Sequence, residues 1–206
     1  MATFRAIQLT PHPGNLPATP MNNKEKNPWQ TLRIEEVYSN PWISVSHRQV
    51  LNPAGKEGIY GIVHFKNLAV GVVPLDEDLH TWLVGQYRYT LRQYSWEIPE
   101  GGCPLGTSPL DTAKRELAEE TGIRAAEWSR ILDIHTSNSV TDESGMVFLA
   151  RDLSYGEAEP EETEDLALRR LPLEEAVQMA VSGQITDSLS LAGLLKVQVM
   201  LNRGML

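Results

Sequence analysis

Cysteine is nearly missing from this chain: among 206 residues, Cys103 is the single one. No disulfide can form within it, and that usage fits a reducing compartment, so the cytoplasm is the expected location. Long apolar runs are also missing. Hydrophobic residues make up 41% of the chain, but no stretch approaches the roughly 18 consecutive apolar residues of a spanning helix. The opening MATFRAIQLTPHPGNLP lacks a basic segment leading into the apolar run of about 7–15 residues that a secretory signal requires. Basic residues are scarce, with Lys+Arg 18 against Asp+Glu 27 and a net charge of −9. Such a surface disfavours a nonspecific grip on nucleic acid or on an anionic membrane, so neither is expected as a partner. A polyanionic substrate would need a cation between itself and this protein. The length predicts one domain of ordinary size, or one with a small appendage.

What is present divides along the chain. Residues 1–28 carry Pro11, Pro13, Pro17, Pro20 and Pro28 without an apolar period, which predicts a mobile arm. From Trp29 a period of two takes over through Leu32, Ile34, Ile43, Val45, Ile59, Val63 and Phe65, with a turn at Asn52-Pro53-Ala54-Gly55. Residues 29–65 are therefore expected to form a strand extension and the first strands, and residues 66–206 the main domain. Leu68 to Leu75 is apolar on both parities, as in a strand covered on two faces. Further strands are expected over Thr81–Tyr87, Trp96–Ile98, Ile131–Thr136, Met146–Ala150 and Leu166–Leu171.

Helical spacing replaces this period after Ser108, a good N-cap followed by Pro109, and runs through Leu110, Ala113 and Leu117 to Gly122, a good terminator. Helices over Leu173–Ser182 and from Ser188 to about Leu201 close the chain. Strands on both sides of an early helix, with helices at the end, predict an α/β fold: a mixed sheet covered on both faces.

The early helix carries an unusual load. Glu116, Glu119 and Glu120 fall within an arc of about 100°. Two of the pairs are like-charged neighbours, each destabilising by roughly 0.2–0.5 kcal/mol. Glu119 and Glu120 also crowd the helix C-terminus, where the dipole favours cations. By itself such a string is a solvated acidic face, partly compensated by Lys114 and Arg115. The segment before it changes that reading: Glu97-Ile98-Pro99-Glu100-Gly101-Gly102-Cys103-Pro104-Leu105-Gly106 is expected to be a Gly/Pro loop whose backbone can approach a ligand. The loop and the carboxylate-lined helix together make an oxygen-rich site suited to Mg²⁺ or Mn²⁺.

From Gly101 to Ile123 the chain resembles the signature of the Nudix hydrolases, G-x5-E-x7-R-E-U-x-E-E-x-G-U with U aliphatic. Gly101, Arg115, Glu116, Leu117, Glu119, Glu120, Gly122 and Ile123 are in register, and Thr107 replaces the first glutamate. Gln86-Tyr87-Arg88 and Trp96-Glu97-Ile98-Pro99-Glu100-Gly101 extend the likeness to the ADP-ribose and nucleoside-diphosphate-sugar pyrophosphatase branch. The resemblance implies a Nudix-type α/β/α sandwich with an N-terminal strand extension. It also implies metal-dependent hydrolysis of the pyrophosphate of a small nucleotide substrate.

By the same resemblance, Glu116 and Glu120 are the main metal ligands, with Glu119 and the carbonyl of Glu100 beside them, while Arg115 orients the glutamates. Arg88, Glu97 and Gly101 face substrate, although a strand-end arginine paired to a surface acid is an equally good reading of Arg88. In the family the first glutamate braces the loop, so Thr107 bears on loop rigidity and on the number of metals. The acidic run Glu157, Glu159, Glu161, Glu162, Glu164 and Asp165 reads as a solvated loop, yet the branch draws its general base from such a place. Glu164 is the matching residue, followed by Glu162 and Glu161. Residues 29–65 supply more strand than one sandwich needs, and the branch pairs such extensions across a two-fold axis. A homodimer through the segment around Trp29 to Trp42 is therefore expected. Hydrolysis of another x-linked nucleoside diphosphate, or nucleotide-sugar sensing without turnover, are the alternatives.

Other motifs fall away. Gly101 to Gly106 has P-loop spacing without the lysine. Cys103 has no histidine near it in sequence and reads as a spectator. His135 is expected to be structural, and Trp29 and Trp42 to pack in a core or interface.

Overall fold

The computed structural model describes residues 26–159 and 165–206. They form ten strands and three helices. β1 (Gln30–Ser39), β2 (Ile43–Leu51) and β3 (Glu57–Phe65) make a three-stranded sheet in that order. β4 (Asn67–Pro74), β7 (Glu100–Pro104), β8 (Ile123–His135) and β9 (Ser144–Tyr155) make a four-stranded sheet ordered β7-β4-β9-β8. β5 (His80–Arg88), β6 (Gln93–Glu97) and β10 (Ala167–Pro172) make a third, ordered β10-β5-β6. The helices are α1 (Pro109–Thr121), α2 (Leu173–Val181) and α3 (Ser188–Asn202). The described parts of Met1–Ile34 and Arg48–Tyr60 form one compact unit, and those of Glu35–His47 and Gly61–Leu206 another.

In the larger unit the four-stranded sheet is mixed: β4 pairs parallel to β9 from Ala69↔Gly145 to Pro74↔Ala150, while its other ladders are antiparallel. The two parities of β4 explain its unbroken apolar run. Val70 and Val72 pack with Ala113 and Leu117 of α1, Ile123 and Phe148. Val73 instead joins Ile98, Leu149, Leu173, Leu189 and Leu194, the last four drawn from β9, α2 and α3. Each such fully buried side chain stabilises the fold by roughly 1.5–3 kcal/mol. With α1 on one face and α2 and α3 on the other, this is an α/β/α sandwich. Among the described residues no helix is long and apolar enough to cross a membrane.

Two sequence expectations change. The expected loop at 97–106 contains a strand, β7, because Glu100 to Cys103 pairs with Gly71 to Leu68; the partner strand supplies the order that Gly101 and Gly102 lack in propensity. β8 begins at Ile123 rather than Ile131, carried by its long ladder with β9. Charged residues along it, among them Arg124, Glu127 and Arg130, hide this from an apolar count. In the smaller unit Trp29 meets Tyr60 edge-on at 5.5 Å. Neither Trp29 nor Trp42 is in the core, Trp42 being 66% exposed.

Candidate active site

The local sequence fixes where α1 starts and stops. Ser108 Oγ accepts the N–H of Asp111 at 3.3 Å, with Pro109 beginning the helix. Gly122 ends it at φ 71°, donating its N–H to Ala118 O at 2.9 Å. A side chain at Gly122 would meet Gly156 O at 2.5 Å, so the strand end after β9 leans directly on the helix terminus. Because Ala113 and Leu117 face the sheet, Glu116 and Glu120 are turned inward as well, and they are only 7% and 3% exposed.

Around them lies a group of acids joined by two described arginines, Arg88 and Arg115. Arg115 bonds Glu116 at 2.5 Å and Glu119 at 2.6 Å, and these two carboxylates raise its pKa against the opposing effect of burial. Glu120 Oε2 accepts the N–H of Glu100 at 3.1 Å, tying helix to strand β7. A Cβ on Gly101 would sit 2.0 Å from Glu116 Oε1, so only glycine lets the backbone come this close to the carboxylate. Arg88 grips Glu97 through Nε at 3.0 Å to each oxygen and through Nη2 at 2.5 Å. Its Nη2 also reaches Glu100 Oε1 at 3.1 Å. Glu97 is 2% exposed, and its charge outweighs burial in raising the pKa of Arg88.

Glu100 is the least satisfied member. Its Oε2 is buried with no hydrogen-bond partner among the described residues. Burial, then the negative charges of Asp187 and Glu97, push its carboxyl well above the ordinary range, and Arg88 only partly opposes them. Asp187 caps α3, accepting the N–H of Ser190 at 2.7 Å. Ser190 Oγ in turn accepts the N–H of Ile98 at 2.9 Å. Sequence reading missed both: Asp187-Ser188-Leu189-Ser190 is legible as a helix cap, but nothing local links it to Ile98.

Of the residues expected at the site, Arg88, Glu97, Glu100, Gly101, Arg115, Glu116, Glu119 and Glu120 belong to one connected network. Glu97 is consumed in holding Arg88. Thr107 ties its turn together, its hydroxyl donating to Pro104 O at 2.7 Å and lying 3.2 Å from Cys103 Sγ. Cys103 is buried. Glu164, Glu162 and Glu161 lie outside the described residues. The described chain runs up to that segment along α1: Gly156 N–H donates to Gly122 O at 2.8 Å and Glu159 N–H to Glu119 O at 2.9 Å. A cleft of about 400 Å³ opens beside the network, lined among others by Trp42, Phe65, Asn67, Arg88, Glu100 and Gly101.

Known proteins resemble this chain in sequence and fold. The Nudix domain matches residues 65–188, and the nucleoside diphosphate sugar hydrolase N-terminal domain matches residues 29–63. The chain belongs to the Nudix hydrolase family. It is 33% identical over 174 residues to a protein named ADP-ribose pyrophosphatase from Mycobacterium tuberculosis, covering 82% of this chain and 83% of that one. A Bacillus subtilis protein of the same name is 33% identical over 161 residues, covering 77% and 86%. The crystal structure of an ADP compounds hydrolase shares the Nudix fold, with a TM-score of 0.76 at 22% identity over 86% of this chain and 97% of that one. The carboxylate helix is thus the Nudix helix of a pyrophosphohydrolase.

Among the described residues no three His, Cys, Asp or Glu side chains converge tightly enough to hold a metal ion as they stand. Arg115 draws Glu116 and Glu119 to itself. The donors nevertheless fit a hard divalent cation in kind: they are all oxygen, two are buried carboxylates on one helix face, and Glu100 brings an unmet oxygen beside them.

Proposed function

We propose that this Nudix protein hydrolyses the pyrophosphate bond of a nucleoside diphosphate sugar, ADP-ribose or a close relative, to a nucleoside monophosphate and a sugar phosphate. The observation that carries the reading is the buried carboxylate network of Glu116, Glu120 and Glu100, the last with one oxygen unmet among the described residues, packed so closely that Gly101 has no room for a side chain. The likeness to proteins named ADP-ribose pyrophosphatase supports the choice of substrate. In this reading residues 66–206 are the catalytic part, residues 29–65 the extension, and residues 1–28 the arm, of which residues 1–25 lie outside the described residues. The cytoplasm is its compartment, on the strength of the single buried cysteine.

Glu116 and Glu120 would hold Mg²⁺ or Mn²⁺, with Glu119 and the carbonyl of Glu100 beside them. When bound, the ion supplies charge neutralisation of the diphosphate and lowers the pKa of water. The chain's own residues do the rest. Arg115 holds Glu116 and Glu119 in place. Arg88, already locked by Glu97, presents its remaining guanidinium donors to a phosphate oxygen at the cleft. Glu164 takes the proton from the attacking water. Thr107, bonded to Pro104 O, braces the turn where the family signature has glutamate.

Assembly belongs to the same proposal. β1 is exposed along its whole length and presents Leu32, Ile34, Val37 and Tyr38, while Ile59 and Trp42 are also bare. Apolar strands of this kind are what a two-fold partner covers. Light scattering at micromolar concentration should give twice the 23.0 kDa chain mass; a single-chain mass rejects the dimer.

The deciding experiment compares ADP-ribose, ADP-glucose, GDP-mannose, ATP and dGTP with saturating Mg²⁺. The best diphosphate sugar should exceed every triphosphate in kcat/KM by at least about tenfold, a gap of ~1.4 kcal/mol. Triphosphates winning would move the protein to another branch, and no hydrolysis at all would favour a sensing role.

A further inference from the structure

A second polar chain, separate from the carboxylate network, ends on the wall of the same cleft. Ser46 on β2, His64 on β3 and Asp142 in the β8–β9 connection are linked in a line. Ser46 Oγ lies 2.9 Å from His64 Nε2, and His64 Nδ1 lies 2.6 Å from Asp142 Oδ2. The other oxygen, Asp142 Oδ1, accepts the backbone N–H of Phe65 at 3.0 Å. The connection is fastened to β3 by its backbone too: Val63 N–H donates to Val140 O at 2.9 Å, and Asp142 N–H to Val63 O at 3.3 Å.

In form this is a hydroxyl–imidazole–carboxylate relay. Its serine, however, is 5% exposed and sits in mid-strand, where no substrate carbon can reach its oxygen. The consequence lies at the other end. Phe65 and Asn67 both line the cleft that holds Arg88 and Glu100, and Asn67 packs over Gly102 of β7, where a Cβ would lie 3.0 Å from its side-chain nitrogen. Asp142 is kept ionised where it sits. Burial pushes its carboxyl up, but the His64 ring and the Phe65 N–H outweigh that and hold it below the ordinary range.

We infer that Asp142 is a positioning residue for substrate. By holding the Phe65 N–H and the His64 ring together, it fixes the Phe65–Asn67 wall opposite Arg88, and so governs how tightly the nucleotide sugar is held without touching the bond that breaks. The inference rests on this cleft being the substrate site of the proposed reaction. It assigns the β8–β9 connection, remote in sequence from the signature helix, a share in substrate affinity.

The test uses the full chain with ADP-ribose and Mg²⁺. D142A, which removes both acceptor oxygens, should raise KM by about tenfold while kcat stays within about twofold of wild type. D142N keeps an acceptor for Phe65 N–H and an amide for the ring, and should restore KM to within about threefold. Hydrogen exchange at the Phe65 amide should quicken in D142A and not in D142N. If D142A does not fold, H64F replaces it, with a KM rise of about threefold expected. An unchanged KM in D142A or H64F, a fall confined to kcat, or a D142N as impaired as D142A overturns the inference while wild-type turnover of ADP-ribose leaves the function standing. Wild-type protein inert toward every nucleotide sugar overturns both.

Discussion

Asp76 and Glu100 are both carboxylates bonded to an arginine and set among further acids, yet their surroundings push them in opposite directions. Asp76 Oδ1 accepts the N–H groups of Asp78 at 3.0 Å and His80 at 2.8 Å, and Oδ2 takes Arg170 Nη2 at 2.6 Å. Burial pushes its carboxyl up, but the His80 N–H and Arg170 prevail and hold it below the ordinary range. Glu77, Asp78 and Asp152 line the same surface cleft. Glu100 shares its arginine with Glu97, leaves one oxygen unmet, and is driven the other way. The number of acids does not separate the two clusters. What separates them is whether the surrounding residues satisfy the carboxylate: both oxygens of Asp76 are bonded, while Glu100 has one buried oxygen unmet among the described residues.

Substitutions can break this contrast in order of effect. Glu120→Gln should reduce turnover of ADP-ribose to below about 10⁻³ of wild type, whereas Asp76→Asn should leave kcat within about twofold. Steady-state rates at saturating Mg²⁺ decide it, and an active Glu120→Gln enzyme removes the metal assignment. Glu164→Gln should lower kcat by roughly 10²–10⁴-fold with metal binding intact, as for loss of a general base. The same effect at Glu162 or Glu161 instead would shift the assignment along the acidic run. In stability the ranking reverses: Asp76→Asn, which gives up a charged bond to Arg170, should cost about 0.5–1.5 kcal/mol in urea unfolding.

The smallest effect, and the sharpest in sign, is on pH. Glu100 has a folded pKa above its unfolded one, so the stability it contributes is full at low pH and is lost as pH rises through the folded value. In EDTA, the melting temperature of Glu100→Gln minus that of wild type should therefore grow between about pH 5 and about pH 8. Asp76 has a depressed pKa, so its stabilisation is present above the unfolded value and lost as pH falls through the folded one. The deficit of Asp76→Asn should accordingly shrink from about pH 5 to about pH 3. Parallel trends in the two variants would erase the distinction.

These contrasts also show what a linear reading of the chain could reach. The Nudix helix was legible because its signals are local: a cap at Ser108, Pro109, apolar spacing through Leu117, a stop at Gly122, and three glutamates on one face. The two-faced burial of β4 was legible for the same reason. β7 was not, because glycine and proline speak for a loop and only the ladder with β4 overrides them. The restraint of Arg88 by Glu97 depends on the register of the β5–β6 pair, and the nearness of Asp187 to Glu100 on a helix far downstream, neither of which a local period reports.

The hydrogen bond from Ile98 N–H to Ser190 Oγ joins residues 92 apart. The backbone leading into Glu100 is therefore held by the start of α3, far downstream of the glutamate helix itself. A nascent chain can complete α1, with every residue of the signature present, and still lack the contact that seats Ile98. Contacts between distant parts of a chain close late, after the loop between them has been ordered. During synthesis or refolding, helical signal should thus return before catalytic competence does, so the acidic network stays open to water through most of the protein's assembly and becomes a binding site at one of its last steps.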